Sequence, residues 1–161
     1  WTLCINIKST CMKKIFLFVL TASFLFSCKS KDAEQQSSDA DSINAPFYWQ
    51  AYLDDSTGQL EVRKIPANDS LSTTSIIDFL NAGNINIKLE FVKVSNDTVF
   101  VRIADAMYLT QQMGSTGPSI YLSEVVYNMT QIPGIKEVNI DFEEGDHATP
   151  GTYNRTTFDK E

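Results

Sequence analysis

The sequence is poor in the side chains on which most site chemistry depends. Its 161 residues include one histidine, and its three cysteines all lie within the first 28 positions. One imidazole and thiols so placed cannot build a zinc centre of the Cys/His type. Positive charge is scarce: 13 Lys and Arg stand against 20 Asp and Glu, a formal net charge of -7. An acidic chain does not suit a phosphate backbone, which excludes nucleic acid as a partner. No Gly-x-Ser-x-Gly nucleophile motif occurs. Gly114-Ser115-Thr116-Gly117 is too short for a P-loop and lacks its lysine. What is present is an apolar share of 43%, too rich for a disordered chain. The length suits one domain with a tail.

The charge is unevenly spread. Residues 1 to 27 hold Lys8, Lys13 and Lys14 and no acid, so the chain from Cys28 onward has 20 acidic and 10 basic residues. The split falls at a processing signal. Met12-Lys13-Lys14 is a positive n-region, and Ile15 to Phe26 is an apolar run of 12 residues. That is the length of a signal-peptide core and short of the roughly 18 residues a spanning helix needs. Residues 1–11, which precede Met12, read as upstream translation or an artefact. They are set aside from the fold.

The run closes on Leu25-Phe26-Ser27-Cys28. This resembles the bacterial lipoprotein signal, with 12–27 removed and Cys28 acylated. Phe26 is larger than the residue usual there. A thiolate is the natural acceptor for a thioether-linked lipid. Two or three acyl chains on one residue hold a protein at a bilayer nearly permanently. The expectation is a membrane-anchored lipoprotein of the cell envelope, on its periplasmic or surface face. The lipid would consume the last cysteine, leaving no disulfide and no thiol nucleophile.

Residues 28–45 are Ser-, Asp-, Gln- and Lys-rich and read as a flexible tether. The folded domain is expected over 46–146, with 147–161 as a polar tail. Phe47 to Leu53 and Leu60 to Ile65 flank turn residues and predict a hairpin. Ser70 or Ser72 can cap a helix over Thr73 to Asn81. Ile87, Leu89 and Phe91 share one strand face, but Val92 and Val94 take the opposite phase. That predicts a bulge or burial on both faces. Thr98 to Ile103 returns as the second strand of a hairpin. Ala104 to Met113 is a short helix or irregular segment. Pro118 opens a helix whose Leu122, Val125, Val126 and Met129 recur at i, i+3, i+4 and i+7. Val138, Ile140 and Phe142 alternate as a last strand. The order β-β-α-β-β-α-β predicts an α+β two-layer sandwich with two helices on a mainly antiparallel sheet.

The run from Val94 through Gly114-Ser115-Thr116-Gly117 to Met129-Thr130-Gln131-Ile132-Pro133-Gly134-Ile135-Lys136-Glu137-Val138 is specific. It resembles the sporulation and spore germination (GerMN) domain family, over about Phe47 to Gly145. The match lies chiefly in the helix-to-strand junction and the final turn at Gly145. Asn96-Asp97 departs from the family's turn, which commonly has Gly after the acidic residue; Asn tolerates positive φ there. The resemblance implies a small α+β fold on exported or lipid-anchored envelope proteins, related to ring-building modules. It implies no catalytic residues.

Other candidate chemistry is weaker. Asp141, Glu143, Glu144, Asp146 and His147 form the one dense acidic group, but without EF-hand spacing. Asp54 and Asp55 are turn formers. Ser119 or Ser123 with His147 would be the only hydrolase pairing. Phe47, Tyr48, Trp49 and Tyr52 could present a glycan-binding face, although sheet packing explains them more simply. The sequence therefore predicts a non-catalytic interaction or assembly module without cofactor or metal. Its expected partners are the membrane, through Cys28, and an envelope protein or a second copy. A glycan or peptidoglycan binding module is the alternative.

Overall fold

A computed structural model describes residues 45–68 and 70–159. All belong to the second of the two units, Trp1–Ser37 and Ser38–Glu161, into which the chain divides. The upstream segment, the expected signal peptide, Cys28 and all of the expected tether but Ala45 lie outside the described residues.

The fold is the expected α+β sandwich, with one strand more than the sequence predicted. Strand β1 (Phe47–Leu53) and β2 (Leu60–Pro66) form a hairpin. Its turn is held by the Asp54 carboxylate, which accepts from the Ser56 and Thr57 backbone N–H at 3.0 and 2.9 Å. Those bonds, with the two hydroxyls, lower the Asp54 pKa to about 2. Helix α1 (Thr73–Gly83) starts at Ser72, whose hydroxyl and that of Ser75 form a reciprocal cap. It buries Ile76, Ile77 and Leu80.

Strands β3 (Leu89–Ser95) and β4 (Thr98–Ile103) form the second hairpin, turned at Asn96 with φ of 55°. The bulge is present: the register skips Val92, so Phe91 pairs with Val101 and Lys93 with Phe100. Skipping one residue restores phase and returns Val94 to the face of Leu89 and Phe91.

Tyr108–Gln112 forms a wide π turn, with Met113 N–H donating to the Tyr108 carbonyl at 3.1 Å. Helix α2 (Gly117–Met129) follows, with Pro118 in its first turn. It stops ahead of Pro133, and Gly134 takes a φ of 88°. Lys136 and Glu137 N–H then both donate to the Asp97 carbonyl, locking the junction to the β3–β4 turn. Strand β5 (Glu137–Asp141) runs parallel to β4. The segment expected as a tail supplies β6 (Gly151–Tyr153), antiparallel to β5, and a 3-10 turn at Arg155–Thr157.

Two details refine the expected, mainly antiparallel arrangement. The β1–β2 hairpin is its own two-stranded sheet, and the other sheet has the order β3-β4-β5-β6. One of that sheet's three ladders, β4 with β5, is parallel, because α2 carries the chain across between them. The core gathers Leu89, Val99, Val101, Ile103, Val138 and Ile140 from the sheet under Leu122, Val125, Val126 and Met129 of α2. Each such side chain stabilises the fold by about 1.5–3 kcal/mol. Among the described residues no helix is long and apolar enough to cross a membrane.

Candidate functional site

Three surfaces hold the residues that sequence reasoning singled out, and a fourth holds residues that it passed over. The fourth is the seam between β1 and α2. Asn128 is fully buried; its Oδ1 accepts from the Trp49 N–H at 2.9 Å and its Nδ2 donates to the Trp49 carbonyl at 2.7 Å. Both groups point away from β2, because a strand residue sends its N–H and carbonyl to the same edge. One helical turn earlier, the Glu124 carboxyl accepts from the Ala51 N–H on that same edge and from the Asn84 side chain. Four residues of helix rise about 6 Å and two residues of strand about 6.7 Å, so the spacings match. Helix α2 thus covers the free edge of β1 as a strand would. Asn81 of α1 repeats the device on β3, clasping the Leu89 N–H at 2.8 Å and its carbonyl at 3.0 Å.

Glu124 is 9% exposed, and burial raises its pKa from 4.5 to about 7 against the opposing Asn84 and Ala51 bonds. No described Lys or Arg forms an ion pair with it. A cleft of about 250 Å³ opens beside the carboxyl, between β1, α1 and α2.

The aromatic group is mostly committed to packing. Tyr48 stacks on Phe79 at 4.1 Å, and Trp49 meets Phe47 and Tyr127 edge-on. Arg155 lies over Trp49 and Tyr127 and donates to the Tyr127 carbonyl at 3.1 Å and the Thr130 hydroxyl at 2.8 Å. It thereby caps the end of α2. Of the four rings Tyr52 alone is exposed, and Arg63 lies over it.

The acidic group does not converge. Asp141 pairs with Arg102 across the sheet at 3.8 Å, both well exposed. Glu143 and Glu144 line a cavity of about 290 Å³ with Asp105 and Met107, but His147 is not part of its wall. His147 is exposed and tied only through its backbone N–H to the Thr110 carbonyl. Among the described residues no group of three acidic, His or Cys side chains is placed to hold a metal ion. Ser123 is buried and donates to the Ile120 carbonyl at 2.8 Å, while Ser119 is exposed. Neither hydroxyl bonds His147.

The remaining surface is β3 itself. It is the edge of the four-stranded sheet, and its outer half is bare: Phe91 is 51%, Val92 53% and Val94 47% exposed. Phe91 and Val94 lie on the helix-side face, beyond the reach of the helices. Val92 lines a shallow groove with Phe100 on the sheet. The signal for this patch was in the sequence, as the reversal of phase at Val92. The seam gave a subtler one: Glu124 and Asn128 stand four apart on α2, off its apolar stripe, where they resemble an ordinary solvated face.

No family model, curated protein or solved structure matches this chain. The likeness to the GerMN family therefore rests on the residues quoted for it, and the surfaces are read from their own chemistry.

Proposed function

We propose that the chain is a lipid-anchored cell-envelope protein whose GerMN-like domain is a non-catalytic interaction module. Its partner would be an envelope protein that adds an extended segment along β3. The observation that carries this reading is the bare apolar edge of Phe91, Val92 and Val94. Unpaired strand edges with exposed apolar residues invite strand addition. The bulge at Val92 and the Lys93 ammonium limit open-ended pairing of identical edges, which favours a distinct partner over filaments of the chain itself. Attachment through Cys28 would keep the domain at the membrane where such a partner resides.

The glycan reading keeps only Tyr52 as a well-exposed ring, and stacking platforms need more than one face in reach. The test is photo-cross-linking from position 92 of the full lipidated chain in intact envelopes. A discrete protein adduct that Phe91→Lys and Val94→Lys abolish is expected. No adduct, together with retention on a glycan array, would overturn the assignment. Cys28→Ala should release the chain from membranes, and unchanged retention would refute the lipid anchor.

A further inference from the structure

The cleft beside Glu124 has a chemistry of its own, remote from the β3 edge. Its floor is the carboxyl of Glu124, and its walls are Phe79 and Leu80 of α1, Ile120 of α2, and Asn84 in the turn after α1. Asn84 Nδ2 donates to the Leu80 carbonyl at 3.1 Å, and the Asn84 side chain also bonds the Glu124 carboxyl. Gln50 stands at the rim, its oxygen held at 2.8 Å by Arg63 from the outer side of the hairpin.

We propose that this cleft binds a primary ammonium group, held by the Glu124 carboxylate with its alkyl stem along Phe79, Leu80 and Ile120. An ammonium has three donors and no acceptor, which suits a carboxylate acceptor and an aromatic wall. The volume of about 250 Å³ is below the range of roughly 300–1,000 Å³ usual for drug-sized ligands, and suits one alkylamine chain. A buried carboxyl with no cation beside it is poorly solvated as an anion, and an arriving cation supplies what burial removed. The raised pKa of about 7 fits that picture: the carboxyl ionises when the ligand enters. The ionisable groups facing it are few. Tyr121 lies one turn back on α2, and its buried hydroxyl has no partner among the described residues. Arg63 of β2 bonds Gln50 and lies over Tyr52, and α1 contributes Phe79, Leu80 and Gly83 to the walls.

The ammonium could belong to a lysine side chain or to a free amine. Titration of the full chain with n-butylammonium and with Nα-acetyl-lysine amide, followed by amide NMR shifts, separates these sources. Saturable shifts at Ala51, Asn84 and Gln50 are expected with n-butylammonium. If the lysine amide also saturates, the source is a lysine side chain; if only n-butylammonium does, it is a small free amine. Butan-1-ol, which keeps the stem without the charge, should bind at least roughly tenfold more weakly. Glu124→Gln should weaken n-butylammonium by a similar factor with an unchanged circular dichroism spectrum. Should that variant unfold, the wild-type chain still decides: affinity should rise from about pH 5.5 to about pH 8 as Glu124 ionises. Equal binding of alcohol and amine, or affinity indifferent to pH, would overturn the assignment.

Discussion

Asn128 completes Trp49 as a neighbouring strand would, accepting from its N–H and donating to its carbonyl across 79 positions of sequence. A carboxamide side chain carries the same donor and acceptor as a peptide group, so one residue substitutes for a ladder pair. The third bond, from Asn128 Nδ2 to the Glu124 carbonyl at 2.8 Å, fixes the rotamer that makes this work.

Asn128→Ala should therefore destabilise the fold by about 2–4 kcal/mol, since it strands a buried N–H and carbonyl rather than merely losing two bonds. Asn128→Asp should also destabilise, because its carboxylate faces the Trp49 carbonyl. Urea denaturation measures both. Asn81→Ala, at the half-buried copy of the device, should lose less.

Glu124 predicts a pH dependence. Its carboxyl is raised from 4.5 to about 7 in the folded chain. Between those values the folded state keeps a proton that the unfolded state has released. This contribution is full below about pH 4.5 and is lost as pH rises through about 7. Glu124→Gln should flatten that slope and, near pH 8, raise stability by about 2–3 kcal/mol. Thermal melts of both forms across the range check it; an unchanged slope in the variant would show that the carboxyl is not the titrating group.

Gly145 predicts a steric limit at the other end of the molecule. A Cβ there would stand 2.6 Å from Thr110 Cβ and 2.7 Å from its hydroxyl. Thr110 is 4% exposed and bonded to the Ala106 carbonyl, so it cannot give way. Gly145→Ala should cost about 1–3 kcal/mol by overpacking. Gly83→Ala, where a Cβ meets nothing within 4 Å, should not destabilise, and paired melting curves would show the contrast.

Sequence reasoning reached these elements to different depths. The bulge was legible because Val92 breaks a period of two, and α1 was legible through its serine cap and the spacing of Ile76, Ile77 and Leu80. Strand β6 was not legible: Gly151-Thr152-Tyr153 is too short to show a period and gains its form only from β5. The parallel β4–β5 pairing was equally hidden, because strand patterns do not reveal direction. The seam was missed for a different reason. Polar residues on a helix are ordinarily solvated, and only the bare edge of β1 makes Glu124 and Asn128 buried.

The distance between Trp49 and Asn128 along the chain also sets an order in time. A polypeptide made from its N-terminus presents the β1–β2 hairpin first, and Asn128 of α2 arrives 79 residues after Trp49. Until then the edge that α2 will cover stays open to other chains. The interval is longest if the chain is threaded through a membrane before folding. A holding factor that recognises exposed strands would have its binding window here, and the window closes when Asn128 docks.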